Sequence, residues 1–335
     1  MKNAIYVSLL LGAAATGIVS FVGSSKDQGP VIVERSAYVT KHINLLLVPD
    51  LSNRVDLIAK PKPISDQEIF SIVLNDIEDV YLRNQNRRMN QQDRFSVLFT
   101  NQNLITDYAI NMEKLSIDFS IFPKQRDRID YIKGKDESTS LVNDRSAMLT
   151  EINRVYKKVA ESMNGADVWS FLENLDESSL MTSGSIPSKK MQNGTEFRNE
   201  YRNILIFLTD GYIETEKGWS GKICNSLTQS RINNFRMQFL TKGKGRSLAE
   251  FFNDEGYGIT PLNNELLKET EIIILEMDDR SINEKGNATH KITDQMVIEL
   301  FWNDWFKKSE IKKHKLVHKA NRLDDLNRQI KNFIL

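Results

Sequence analysis

Two short apolar runs, each separated from an acidic residue by a single position, constrain the fold of this chain most. Residues 43–48 lead into Asp50 through a single proline, and residues 203–208 lead into Asp210 through a single threonine. Each run is too short to span a bilayer and lacks polar alternation, so each predicts a β-strand buried on both faces. In open parallel sheets, ligands bind outside the carboxyl ends of the strands. The sequence therefore predicts that Asp50 and Asp210 face one crevice.

The bulk composition indicates a globular protein without a strong electrostatic field. The chain has 335 residues, of which 40% are hydrophobic, so it can bury a large core. Lys plus Arg and Asp plus Glu number 45 each, and we therefore expect no nucleic-acid partner. The single cysteine, Cys224, excludes an internal disulfide and is expected to be a small core residue.

The amino-terminal segment, residues 1–25, has the composition of a targeting sequence. Lys2 precedes an almost uncharged apolar stretch, residues 4–23, which lacks the polar face that a helix packed on a domain would need. Two interpretations stay open, a cleaved signal peptide and an uncleaved N-terminal membrane anchor. Both predict that the rest of the chain is extracytoplasmic, in the periplasm or at the cell surface. Residues 26–40 are predicted to be a tether.

Hydrophobic periodicity predicts alternating strands and helices from about Lys41 onward. The predicted strands are residues 43–48, 95–99, 115–122, 203–208, 272–275 and 315–318. The predicted helices are 65–88, opened by a capping box at Ser65, then 143–163, a shorter one from Asp167, an aromatic one through 297–306, and 323–335. Residues 126–139 are predicted to be a loop, and insertions are predicted near 178–200 and 212–268. The basic turn 242–246 is predicted to lie in solvent between short helices.

The two strand ends resemble the metal-ion-dependent adhesion site of the von Willebrand factor type A (VWA) domain family, which includes integrin I domains. That site combines an Asp-x-Ser-x-Ser loop, matched in part by residues 50–54, with a later Thr-Asp-Gly loop, matched by residues 209–211. The resemblance implies an α/β, Rossmann-like three-layer sandwich over residues 41–335. Its central sheet would be mostly parallel with one antiparallel edge strand, and helices would cover both faces.

In the family, the loops hold a divalent ion that a partner's acidic residue completes. The resemblance implies Asp50, Ser52 and Asp210 as candidate metal ligands. Arg54, however, stands at the second serine position, where an inward-pointing guanidinium would replace the ion between the two acids. We therefore expect no cofactor, or a weakly bound Mg or Mn ion.

The second metal loop of the family also departs from the pattern. It supplies a threonine at a helix start, where this chain has Ala166, whose side chain has no oxygen. Thr139 or Ser140 would replace that threonine if the second loop lay earlier in the chain. His314 and His318 are four residues apart but fall in a predicted strand, so a zinc pair is not expected.

The resemblance implies a non-enzymatic protein-interaction module, an adhesion or scaffold domain that is exported or membrane-tethered. Its partner, another protein, would contact Asp50, Ser52, Arg54, Asp210 and Gly211, while residues 4–23 would contact the membrane if uncleaved. The alternative is a metal-dependent hydrolase or phosphatase with Asp50 as nucleophile, although Ser52 stands where the second acid of an Asp-x-Asp pair belongs. A third interpretation is that both acids only cap the helices that follow them.

Overall fold

The structure is a computed structural model that describes residues 37–55, 62–78, 92–136, 138–160, 166–182, 189–191, 195–214 and 221–335. Several predictions fall outside these residues. They concern the targeting sequence 1–25, most of the tether 26–40 and the end of the first helix. Within the described residues, no helix combines the length and apolar character needed to cross a bilayer.

Strands and helices alternate through the described ranges. The strands are β1 (Ala37–Pro49), β2 (Arg94–Val97), β3 (Ser116–Asp118), β4 (Lys189–Lys190), β5 (Glu196–Leu208), β6 (Ile223–Cys224), β7 (Gly258–Ile259), β8 (Thr270–Met277) and β9 (Lys313–His318). The helices are α1 (Asp66–Asp76), α2 (Asn103–Asp107), α3 (Gln125–Ile132), α4 (Leu141–Val159), α5 (Val168–Glu173), α6 (Gln229–Lys242), α7 (Leu248–Asp254), α8 (Asp294–Lys308) and α9 (Leu323–Ile334).

The main sheet has the strand order β3-β2-β1-β5-β8-β9. Strand β3 is antiparallel to β2, the other neighbours on this path are parallel, and β4 adds a short antiparallel pairing to β5. Numbered by position in the chain, the six strands read 3-2-1-4-5-6, the order of a doubly wound fold. This confirms the predicted Rossmann-like α/β sandwich. Strand order reverses between β1 and β5, so the topological switch point lies where Pro49 pairs with Leu208.

Helices cover both faces of the sheet. Successive side chains of a strand point to opposite faces, so the buried strands supply apolar side chains to both. Leu45, Leu47, Ile204 and Ile206 pack with apolar residues of α1, α4 and α9. Their sequence neighbours, such as Leu46 and Leu205, pack on the other face with residues of α5, α6, α7 and α8. Every residue of β8 is buried. The predicted central strands are therefore buried on both faces, as expected.

The strongest helix predictions are confirmed. Helix α1 begins with the capping box that Ser65 and Glu68 form. The stripe predicted for α4 is buried throughout, namely Met148, Ile152, Val155, Tyr156 and Val159. The aromatic residues of α8 belong to the core, and Phe301, Trp302, Trp305 and Phe306 are each fully buried. Short helices α6 and α7 flank the basic turn 242–246, as predicted.

The predicted loop at 126–139 is wrong in its first half, which forms α3. The helix has few apolar residues, but Arg128 and Tyr131 are buried. The Arg128 Nε donates to the Phe119 carbonyl oxygen at 3.2 Å, and the Tyr131 hydroxyl donates to Asp144 Oδ2 at 2.7 Å. Tertiary contacts of polar atoms therefore stabilise a helix that hydrophobic periodicity does not reveal.

Strands β1 and β5 are both longer than their apolar runs. They pair over 13 residues from Ala37 and Glu196, so β5 begins inside the predicted 178–200 insertion and β1 begins before Lys41. Polar residues face one another within this ladder, since Asn44 Nδ2 donates to Asn203 Oδ1 at 2.8 Å. Cys224 is half-buried on β6 rather than in the core.

Candidate functional site

Asp50 follows β1 directly and is 2% exposed. Its N–H donates to the Leu208 carbonyl oxygen at 2.9 Å, which extends the β1–β5 ladder to the switch point. The Ser52 N–H donates to Oδ1 at 2.9 Å, and the Thr209 hydroxyl donates to Oδ2 at 2.9 Å. Burial raises the pKa of Asp50, while the Arg54 charge opposes this shift. Both carboxylate oxygens are therefore engaged by the protein itself.

Arg54 points inward, as predicted, but its partner is different from the predicted one. It lies in the short 3-10 turn Asn53–Val55 and is 1% exposed. Its Nη1 donates to the Asp50 carbonyl oxygen at 3.1 Å and to Asp66 Oδ2 at 2.6 Å, and its Nη2 donates to Asp66 Oδ1 at 3.1 Å. The guanidinium thus forms a bidentate pair with Asp66 at the start of α1, instead of lying between Asp50 and Asp210.

Asp66 is the centre of a buried charge cluster that the sequence analysis missed. Besides Arg54, Lys62 Nζ donates to its Oδ1 at 2.9 Å and the Tyr156 hydroxyl donates to its Oδ2 at 2.7 Å. Burial favours the neutral acid, but the Arg54 and Lys62 charges hold the pKa of Asp66 well below its usual range. In the sequence, this residue was visible only as part of a helix-capping pattern.

Asp210 follows β5 and is 6% exposed. Its Oδ1 accepts the Tyr212 N–H at 3.2 Å, and its Oδ2 accepts a hydrogen bond from Arg280 Nη2 at 2.8 Å. The Arg280 guanidinium lies 3.8 Å from the centroid of the Tyr212 ring, a cation–π stack that limits its movement. Arg280, not Arg54, is therefore the cation paired with Asp210. It follows β8, whose carboxyl end lies at the same sheet edge, and this was the signal available in the sequence.

Gly211 holds the second loop close to the core. Its φ is +87°, and a Cβ built there would lie 3.0 Å from Ile298 Cγ2 and 3.3 Å from Met277 Cε. Its carbonyl oxygen accepts the Trp302 Nε1–H at 2.8 Å. A glycine is thus required by both the backbone conformation and the close packing. Because Gly211 is buried, it shapes the loop more than it offers a surface.

Of the candidates for the second metal loop, Thr139 and Ser140 lie away from Asp66, and Ala166 has no side-chain oxygen. Tyr156, near the end of α4, contacts Asp66 at the start of α1, whereas Arg145 donates to the Leu74 carbonyl oxygen at 3.4 Å. Helix α4 is therefore antiparallel to α1, and its beginning, with Thr139 and Ser140, lies at the opposite end from Asp66. The Ser140 hydroxyl accepts the Asn143 N–H at 3.2 Å as a helix cap. Ala166 is buried and brings only a methyl group.

The donor set at the switch point does not match a divalent cation. Mg²⁺ and Ca²⁺ are held by six or more oxygens, which come from carboxylates, carbonyl groups and water and must have free lone pairs. Here the Asp50 oxygens accept protein hydrogen bonds, and a guanidinium occupies Asp210 Oδ2. In the part of the chain that the structure describes, no group of three or more His, Cys, Asp or Glu residues is arranged to hold a metal.

The comparisons with known proteins add no relative. No protein-family model matches the chain, and no curated protein matches it significantly. The class of this protein is therefore defined by its fold and by the geometry of the site. The chain is a doubly wound α/β protein whose two strand-end acids, Asp50 and Asp210, flank the topological switch point and are satisfied by the protein's own donors.

Proposed function

We propose that this chain is a non-enzymatic protein-interaction module of VWA type, an adhesion or scaffold domain with a degenerate metal-ion-dependent adhesion site. The partner protein binds at the strand-end loops that contain Asp50, Ser52, Arg54, Asp210 and Gly211. One observation carries this proposal, the position of the two acids on either side of the switch point, where ligands of doubly wound sheets bind.

In this proposal, fixed side-chain cations replace the metal bridge of the family. Arg280 neutralises Asp210 and its side chain remains 28% exposed, so it is accessible to a partner. Stacking on Tyr212 holds the guanidinium in place before binding, and ordered arginines of this kind are frequent interface anchors. The partner site therefore works without a cofactor, or with only weakly bound Mg or Mn.

The environment of Asp50 supports binding over hydrolysis. A nucleophilic carboxylate must approach the substrate within hydrogen-bonding distance or less. Asp50 is almost fully buried, and its two oxygens accept hydrogen bonds from Ser52 and Thr209. An attacking role would require breaking one of these bonds and uncovering the side chain.

Affinity purification of the intact, membrane-extracted protein tests the proposal with a charge-reversal variant, Arg280→Glu. We expect this variant to lose the partner that co-purifies with the unmodified chain. Arg246→Glu is the matched control, because Arg246 is 29% exposed and also ion-paired but lies in the turn between α6 and α7. Equal loss in both variants, or phosphatase activity that Asp50→Asn abolishes, would refute the proposal.

The proposed location is extracytoplasmic, with residues 1–25 acting as signal peptide or membrane anchor. The apolar stretch 4–23 with Lys2 before it supports this orientation. A reporter that is active only in the cytoplasm, fused after Leu335, should stay silent. Reporter activity would reject export and leave the proposed partner site untouched.

A further inference from the structure

Glu276 interrupts the regular alternation of β8. Leu275 packs on the sheet face covered by α1 and α4, and Met277 packs on the face covered by α8, although residues two apart on a regular strand share a face. The register with β9 shifts by one residue between Ile274 and Met277. Glu276 itself has a φ of +71°, a left-handed conformation uncommon for a residue with a side chain. Glu276 is therefore the extra residue of a β-bulge.

Glu276 interacts electrostatically with Lys62, Asp66 and Arg54 of the charge cluster, but its carboxyl group has no hydrogen-bond partner within the described structure. The side chain is 1% exposed, and within the described structure neither carboxyl oxygen has a hydrogen-bond donor. Buried carboxylates are normally paired, and strained backbone tends to persist where it serves a function. Two independent features, the strained backbone and the unpaired carboxyl group, thus coincide at one residue.

The cations that act on Glu276 are already engaged elsewhere. Lys62, whose side chain is 3% exposed, donates to Asp66, and so does Arg54. Lys319 pairs with Asp278 at 2.8 Å. The charged groups that act on Glu276 are Lys62, Asp66, Arg54 and Lys319. On the neighbouring strand β9, His318 bonds Glu299, and Asp278 after β8 bonds Lys319. A neutral Glu276 fits this arrangement, whereas an ionised one competes with Asp66 for Lys62 and Arg54.

We propose that Glu276 is a proton-binding site that controls the loop carrying Asp50 and Arg54, and so regulates the strand-end partner site. This regulatory role rests on the proposed function. With a proton on Glu276, Arg54 and Lys62 stay on Asp66 and the loop stays closed. When the proton leaves, the uncompensated carboxylate draws these cations away from Asp66, and the loop loosens.

The direction of the pH effect follows from the burial. Burial raises the pKa of Glu276 to about 7, while Lys62 opposes the shift and Asp66 adds to it. A raised pKa in the folded state stabilises the closed loop at low pH, and this stabilisation is lost as the pH rises through about 7. The loop should therefore open more readily at pH 8 than at pH 6.

Hydrogen–deuterium exchange of the full chain at pH 6 and pH 8, corrected for intrinsic exchange rates, tests the switch. The amides of Ser52 and Val55 both form hydrogen bonds within the loop and report on its closure. We expect their protection to fall by ~10-fold at pH 8, the factor equivalent to one pKa unit, and to be independent of pH in Glu276→Gln. Glu271→Gln, on the same strand but ion-paired with Arg202, should respond as the unmodified chain does.

A second variant, Lys62→Met, keeps the proposal testable if Glu276→Gln does not fold. Because Lys62 lowers the pKa of Glu276, its removal should move the midpoint of the pH response upward. Equal protection at both pH values in the unmodified chain, or an unchanged response in Glu276→Gln or Lys62→Met, overturns the proposal. The measurement involves no partner, so such a result rejects the switch and leaves the partner site to the affinity experiment.

Discussion

The buried ion pair of Arg54 and Asp66 predicts a large loss of stability when one partner is removed. Asp66→Asn keeps the size of the side chain but removes the negative charge that Arg54, Lys62 and Tyr156 all contact. Arg54 is 1% exposed, so its charge cannot turn to water without opening the loop. The variant therefore leaves two cations buried beside a neutral amide.

The expected magnitude follows from this burial. Removing one partner of a buried pair costs about 3–5 kcal/mol, because the remaining charge stays desolvated. The total free energy of unfolding of a domain is only about 5–15 kcal/mol, so the variant should lose a large part of its stability. In urea denaturation, we expect the midpoint to fall by on the order of 1 M or more.

The pH of the measurement matters, because Asp66 is ionised far into the acid range. An acid whose pKa is lowered by folding contributes stability above its unfolded pKa, about 3.9, and loses it as the pH falls through the folded value. The contribution of Asp66 is therefore present at pH 6, where Glu276 is largely neutral, and the denaturation is best measured there.

Two further variants complete the test. Replacing both partners with apolar residues, Arg54→Met with Asp66→Leu, should recover part of the loss, since Lys62 is then the one cation of the two left buried without Asp66. Glu271→Gln is the matched control, because the Arg202–Glu271 pair is also bidentate but Arg202 is 17% exposed, and we expect a loss of only about 1–2 kcal/mol. An Asp66→Asn variant as stable as the unmodified chain would refute the reasoning.

Three other predictions follow from single contacts. Leu205→Asp should prevent cooperative folding, because an unpaired charge in the middle of the sheet costs at least several kcal/mol, whereas Phe197→Asp on the exposed end of β5 should still melt cooperatively by circular dichroism. Gly211→Ala should lower the free energy of unfolding by about 1–3 kcal/mol, and more than Gly245→Ala, which shares a positive φ but meets no atom within 4 Å. Calorimetry should detect weak or no Mg binding to the unmodified chain and stronger binding to Arg280→Ser, and tight binding by the unmodified chain would contradict the proposed role of Arg280 in place of a metal.

The sheet was predictable because its strands carry a strong and local signal. Apolar runs such as residues 43–48 and 203–208 are buried on both faces, so composition alone identifies them, and turn residues mark where they end. Helix α3 was not predictable in this way, since Arg128 and Tyr131 stabilise it through polar contacts with distant residues. The early halves of β1 and β5 were missed for a related reason, because they carry polar side chains that bond across the ladder, as His42 Nε2 and Asn199 Oδ1 do at 3.0 Å.

The positions of Asp50 and Asp210 were predictable from the sequence, but the cations that pair with the acids of the site were not. Strand ends place Asp50 and Asp210 at one edge, and sequence order is enough to infer that. Which cation meets which acid depends on the twist of the loops, and the inward-pointing Arg54 meets Asp66 rather than Asp210. The burial of Glu276 in the charge cluster could not be predicted, because a β-bulge breaks the period of two from which the face of each strand residue is assigned.

In the proposed partner site, a fixed arginine stands in place of an exchangeable metal, and this changes what the strand ends respond to. A bound metal links affinity to metal concentration and to chelators, whereas Arg280 is covalently present and its pairing with Asp210 depends on salt and on the state of nearby acids. The acids that follow β1 and β5, Asp50 and Asp210, accept hydrogen bonds from the protein, whereas Glu276 near the end of β8 has no donor within the described structure. Burial raises the pKa of this unpaired Glu276 to about 7, so its charge changes near neutral pH. In the proposed switch, the proton on Glu276 takes the regulatory place that a bound metal ion would have.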